Sequence, residues 1–105
     1  MATADVTVLG AGVMGLCVAH ACLMRGARVQ VIDPAGPGAG ASGGLVGALA
    51  PHVPDGWNDK KAFQFAALCM APGFWSAVAA QGGVDPGYAR LGRLQPAGDL
   101  ALARM

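Results

Sequence analysis

Val6-Thr7-Val8-Leu9-Gly10-Ala11-Gly12-Val13-Met14-Gly15 is the stretch whose reading decides the fold. Four apolar or β-branched residues stop at a glycine, and helical spacing begins three positions later. A short apolar run bounded by glycine reads as a buried strand, and the change of period marks a strand-to-helix turn. Each glycine has a separate physical use there. Gly10 permits a tight bend, Gly12 lacks the Cβ that would keep a pyrophosphate from the backbone, and Gly15 lets the helix lie close to the strand. The first N–H groups of the helix, Val13 and Met14 among them, then face an anion along the favourable end of the helix dipole.

With 17 glycines in 105 residues, one Gly-x-Gly-x-x-Gly is a weak signal by itself. The surrounding residues strengthen it. The helix is expected from about Val13 to Arg25, with Ala19 on the same face as Gly15 and Gly26 in the left-handed position that ends it. Val29-Gln30-Val31-Ile32 reads as a second buried strand, and Asp33 stands at its end, 18 residues beyond Gly15. A carboxylate at that distance accepts hydrogen bonds from the adenosine ribose hydroxyls and repels the extra phosphate of NADP. The bland alternative is a βαβ unit whose glycines serve close packing only.

From Pro34 to Gly44 the composition (Pro34, Gly36, Pro37, Gly38, Gly40, Gly43, Gly44) defeats helix and strand alike and predicts a loop. Ala41-Ser42-Gly43-Gly44 offers a hydroxyl and unobstructed amides, the chemistry of a second anion cradle. A loop in place of the usual crossover helix favours a cofactor that runs on past the pyrophosphate. Beyond the turn residues Pro51 to Gly56, Asn58 or Asp59 can cap a helix in which Phe63, Ala66, Ala67 and Met70 form an apolar face. Pro72-Gly73 is expected to break or kink it into a helix pair, with Phe74, Trp75 and Val78 continuing the face until Gly82-Gly83. Short strands are expected within Tyr88–Gln95. His20 reads as a helix-surface residue and His52 as an exposed loop residue.

Charged residues make up 12% of the chain, about half the usual 25%, and the net charge is +1. A freestanding domain would have few charges to cover its surface, which points to coverage by further chain, a partner or self-association. There is no basic stripe for nucleic acid, no leader pattern, and no uninterrupted apolar run of bilayer-spanning length. A cytoplasmic protein is the expectation. Cys17, Cys22 and Cys69 lack metal or redox spacing and read as small buried apolar residues, and no metal set is visible. The length suits one small domain or part of one, and the closing Leu100 to Met105 carries no stop signal, as in a chain that has been cut.

The chain resembles the N-terminal segment of the D-amino-acid oxidase and glycine oxidase type of FAD-dependent oxidoreductase. Within that group it looks most like the flavin oxidase half of bacterial enzymes that modify tRNA wobble uridine. The residues that carry the likeness are Gly10 to Gly15, Asp33, Gly40-Ala41-Ser42-Gly43, Gly47-Ala48-Leu49, Pro51 and Gly92 to Ala97. The resemblance implies a partial Rossmann-like α/β unit: a βαβ core and Gly-rich loop over residues 1–50, then helices and short strands over 51–105, with the substrate domain absent. It also implies FAD as cofactor. Gly10, Gly12, Val13, Met14 and Gly15 would hold the pyrophosphate, Asp33 and the adjoining Pro34 the ribose end, Ala41, Ser42 and Gly43 the phosphate and flavin-side linkage, and Leu45 and Val46 the isoalloxazine. In the tRNA-modifying relatives Gly44 is usually asparagine and Leu45 usually basic, so this chain departs there. The implied activity is oxidation of an amine or amino acid at carbon–nitrogen by hydride transfer. No catalytic residue is singled out, and the arginine expected to pair with a substrate carboxylate is open among Arg90, Arg93 and Arg104. An NAD-binding dehydrogenase fragment and a truncated, non-catalytic Rossmann-like piece are the competing readings.

Overall fold

The computed structural model describes residues 3–92. Strand β1, Val6–Leu9, leads into helix α1, Val13–Leu23, which returns to strand β2, Val29–Ile32. The two strands pair in parallel with Val6 opposite Val29 and Leu9 opposite Ile32. Both strands have the bounds expected, because four β-branched or long apolar residues between polar and glycine punctuation leave little freedom in where they start.

The register is pinned at both ends. At the start, the amides of Asp5 and Val6 donate to the Arg28 carbonyl at 2.8 and 3.1 Å, while the Arg28 guanidinium grips the Asp5 carboxylate through Nε at 3.1 Å and Nη2 at 2.7 Å. That pair is solvent-exposed, so its value lies in geometry more than in energy. At the other end the Gly10 amide donates to the Ile32 carbonyl at 2.8 Å.

Helix α1 closes two residues earlier than Arg25. The amides of Arg25 and Gly26 bond three residues back, to Cys22 and Leu23, so the last turn tightens before Gly26 reverses the chain at φ 83°. The Arg25 side chain instead bonds the Ala21 carbonyl at 2.9 Å, a cation placed at the negative end of the helix.

The strands are not buried as expected. Val6 and Val8 alternate with exposed Thr7 and Leu9, and of β2 only Val29 is half-buried. A two-stranded sheet with one helix against it has one covered face, and only Ala11 and Ala19 of this unit fall fully inside. Cys17 and Cys22 are half-buried and Cys69 is exposed, against the expectation that all three are core residues. Their small side chains lie where too little chain packs to enclose them.

The chain divides into two compact units, residues 1–49 and 50–105. In the second, α2 runs without a break over Asp59–Gly82. The expected helix pair is therefore a single helix. Pro72 forfeits one ladder bond at about 3 kcal/mol, a finite cost that a long helix with good ends can absorb. Both ends are good: the Asn58 side chain accepts from the Lys61 amide at 3.1 Å, and Gly83 closes the helix at φ 66°. The covered face is the expected one in the second half of the helix, where Phe74, Trp75 and Val78 are half-buried, but not in the first. Phe63 and Met70 stand 80% and 68% exposed, whereas Ala71 is buried and Gln64, Leu68, Trp75 and Val78 are half-buried. Flanking loops select that side: the His52 amide bonds Gln64 Oε1 at 3.2 Å, and Lys61 Nζ bonds the carbonyls of Val53 and Asp55.

By length and composition α2 is also able to cross a membrane, a property it shares with core helices of soluble proteins. This corrects the expectation that no run approaches bilayer-spanning length. Residues 88–92 form no strand, and the remainder of the expected short strands lies outside the described residues. No strand is available in the described part of this unit for them to pair with.

Candidate dinucleotide site

At the C-terminal ends of β1 and β2 the chain builds a hydrogen-bonded knot from residues 10–15, 33–38 and 42. Gly10 turns the corner at φ 106°, a conformation other residues rarely enter. Gly15 packs so closely that a Cβ there would overlap the Gly10 carbonyl and come within 3.3 Å of Val8 Cγ1. Its role in this structure is helix-on-strand packing.

Asp33 joins the end of β2 to that corner. Its Oδ2 accepts from the Ala11 amide at 2.8 Å, and its Oδ1 accepts from the amides of Ala35 at 2.8 Å and Gly36 at 3.1 Å. These bonds to the charged form hold its carboxyl below the ordinary value of 3.8, the Ala11 amide first among them. An ionised carboxylate has about four acceptor positions, so three bonds leave capacity for one more donor at its exposed side.

Gly12 is the N-cap of α1 and has no side chain to cap with. The cap comes from 29 residues away: Ser42 Oγ accepts from the Val13 amide at 2.8 Å. A Cβ on Gly12 would stand 3.0 Å from that oxygen, so glycine here lets the hydroxyl in. Ala41–Gly43 forms one 3-10 turn, and the Gly38 amide donates to the Ala11 carbonyl at 2.9 Å, laying this segment over the corner.

The structure therefore brings Gly10, Gly12, Val13, Gly15, Asp33, Ser42 and Gly43 into one neighbourhood. Met14, in the first turn of α1, projects an exposed side chain, and exposed Pro34 and Ala41 contribute backbone only. Leu45 and Val46 are not part of the knot and stand 105% and 87% exposed. Four participants were not expected from sequence: the Ala11 peptide, which bonds through both its amide and its carbonyl, and the amides of Ala35, Gly36 and Gly38. The signal was present in Asp33-Pro34-Ala35-Gly36, since aspartate before a turn bonds amides two and three residues on. Of the possible arginines, Arg90 is exposed in the second unit, and Arg93 and Arg104 lie outside the described residues.

A parallel strand–glycine turn–helix–strand unit, with an acid from the second strand bonded to the turn, defines a Rossmann-like nucleotide-binding module. The family described as "DAO: FAD dependent oxidoreductase" matches residues 5–105, and the chain belongs to it. That family is FAD-dependent. Curated relatives carry the name "tRNA 5-methylaminomethyl-2-thiouridine biosynthesis bifunctional protein MnmC". The protein from Albidiferax ferrireducens is 50% identical over 54 residues, covering 50% of this chain and 9% of the relative. That from Polaromonas naphthalenivorans is 52% identical over 53 residues, 50% of this chain and 8% of the relative. A third, from Marinobacter nauticus, is 36% identical over 74 residues, 70% of this chain and 12% of the relative. The matched part thus spans about a tenth of these proteins' length. No solved structure matches the chain.

The residues present fit the ADP portion of FAD. A Cβ-free corner at Gly12 and the amides of the first turn of α1 suit a pyrophosphate, and the remaining acceptor position of Asp33 suits a ribose hydroxyl.

Proposed function

We propose that this chain is the N-terminal FAD-binding part of an oxidoreductase that oxidises the carbon–nitrogen bond of an amine or amino acid. The observation that carries the reading is the knot itself, in which Asp33 and Ser42 converge from later chain on the amides of Ala11 and Val13. The amides of Gly12 and Met14 hold the pyrophosphate, and Val13 contributes through Ser42, to which its own amide donates. Asp33 takes a ribose hydroxyl, with Pro34 bending the chain away beside it. Ser42, bonded to the Val13 amide as acceptor, keeps its own proton to donate to a phosphate oxygen. Ala41 and Gly43 place that hydroxyl, and Leu45 and Val46, exposed in this chain, lie toward the flavin ring.

When bound, the flavin supplies the two-electron acceptor for hydride leaving the carbon that bears nitrogen, giving an imine that water hydrolyses. This chain's residues contribute binding and orientation. The relatives, named for biosynthesis of a methylaminomethyl uridine of tRNA, and the amino-acid oxidases of the resemblance support a substrate with nitrogen next to an oxidisable carbon. Asp33 would suit the ribose of NAD equally well, and membership of an FAD-dependent family decides between the two.

Two corollaries belong to the same reading. The isolated 105-residue chain has no turnover, because half a cradle cannot orient both substrate and flavin. It also self-associates through apolar surface such as Leu9 and Ile32 at the sheet, 80% and 47% exposed. Parallel titration of the full-length protein with FAD and NADH tests the assignment: saturable FAD binding without NADH binding supports it, and the reverse refutes it.

A further inference from the structure

The knot contains a contact that no cofactor role accounts for. Gly38 and Gly43, five residues apart, approach so closely that a Cβ on Gly43 would overlap the Gly38 carbonyl oxygen. Gly38 itself sits at φ 70°, which an L side chain rarely adopts, and its amide is anchored on the Ala11 carbonyl at 2.9 Å. Gly43 is next to Ser42, whose hydroxyl lies 2.8 Å from the Val13 amide. The series Ala11, Gly38, Gly43, Ser42, Val13 is a closed circuit that starts and ends on the glycine corner.

We propose that Gly38 and Gly43 are positioning residues: their backbone contact is a buckle that fixes the aim of the Ser42 hydroxyl at the head of α1. Loosening the buckle frees Ser42 from the Val13 amide and weakens capture of the diphosphate. Neither glycine need touch the cofactor for this. The buckle rests on the FAD reading for its consequence, but its geometry stands apart from it.

Gly47 gives the contrast: it has open space where a Cβ would go and no left-handed φ, so Gly47→Ala meets neither penalty, whereas Gly40, at φ −92° and ψ −143° with its carbonyl on the Gly43 amide, belongs to the same turn. The buckle glycines meet one each.

The test uses the 105-residue chain and four variants: Gly43→Ala, Gly38→Ala, Ser42→Ala and Gly47→Ala. The first readout, without ligand, is hydrogen exchange of the Val13 amide by NMR, with the Val8 and Val31 amides of the sheet reporting that the fold persists. Expected is at least tenfold faster Val13 exchange in Gly43→Ala, Gly38→Ala and Ser42→Ala, with wild-type exchange in Gly47→Ala and at the sheet amides of all four. The second readout is the dissociation constant for ADP, expected to rise roughly tenfold in the first three variants and to stay at the wild-type value in Gly47→Ala.

Wild-type Val13 protection and ADP affinity in Gly43→Ala and Gly38→Ala would overturn the buckle while leaving the FAD reading intact. Absence of ADP binding in wild type, with Val13 exchange following the expected pattern, would instead overturn the FAD reading and uphold the buckle. Should Gly43→Ala lose the sheet amides as well, Gly38→Ala and Ser42→Ala decide: matching Val13 exchange and ADP affinity in those two support the buckle, and wild-type values in Gly38→Ala overturn it.

Discussion

Asp33 holds three backbone amides on two oxygens, and this is where the site acquires its pH dependence. Its carboxyl is lowered below 3.8 by the bonds from Ala11, Ala35 and Gly36. A group whose pKa is depressed in the folded state stabilises it fully above the unfolded value and loses that contribution as pH falls through the lower, folded value. Asp5, lowered by its bonds to Arg28, acts in the same direction. The chain is therefore expected to hold its stability from neutrality down to about pH 4 and to lose it progressively below, read as the urea midpoint against pH. Asp33→Asn removes the charge and should flatten that loss and weaken ADP binding roughly tenfold. At Gly15 the expectation is steric. Gly15→Ala forces a Cβ into the Gly10 carbonyl, and overpacking of this kind costs about 1–3 kcal/mol, measurable as a lowered denaturation midpoint. Residue roles were legible where the backbone demands glycine, as with Gly10 and Gly26, whereas the bonds of Asp33 to the amides of Ala11, Ala35 and Gly36 were not read. The Ser42 cap was not, because the sequence offered a hydroxyl in a loop but nothing to bring it 29 residues back to Val13.

Among the elements, β1, β2 and the start of α1 could be read directly, since four-residue apolar runs between glycines and charges admit one placement. Helix α2 was harder, for two separate physical reasons. A proline inside a helix has a finite cost, and the pattern of residues cannot show that Asn58 and Gly83 offset it by closing both ends. Nor can it show which of two apolar faces the flanking loops will cover. Phe63 and Met70 outrank Gln64 in hydrophobicity, yet Gln64 faces the loop, where its Oε1 accepts from the His52 amide. Two outcomes follow for the helix. Pro72→Ala restores a ladder bond and should raise stability by about 1–3 kcal/mol, while Asn58→Ala should lower it by about 1 kcal/mol. Urea denaturation followed by helical circular dichroism checks both.

For the molecule as a whole, the low share of charged residues leads to the expectation of a covered surface, and Leu9, Leu45, Val46, Phe63 and Met70 are exposed. The residues that complete an FAD oxidoreductase have no counterpart in such a composition. The stretch shared with the relatives is roughly a tenth of their length. What these residues do present is a glycine corner on which Asp33 and Ser42 converge. The most direct test is a calorimetric titration of the 105-residue chain with ADP, in wild type and in the Asp33→Asn, Ser42→Ala double variant. Saturable 1:1 binding in the wild type, weakened at least tenfold in the double variant, is the result the glycine corner predicts. Binding that the two substitutions leave unchanged, or no binding to the wild type at all, would contradict it.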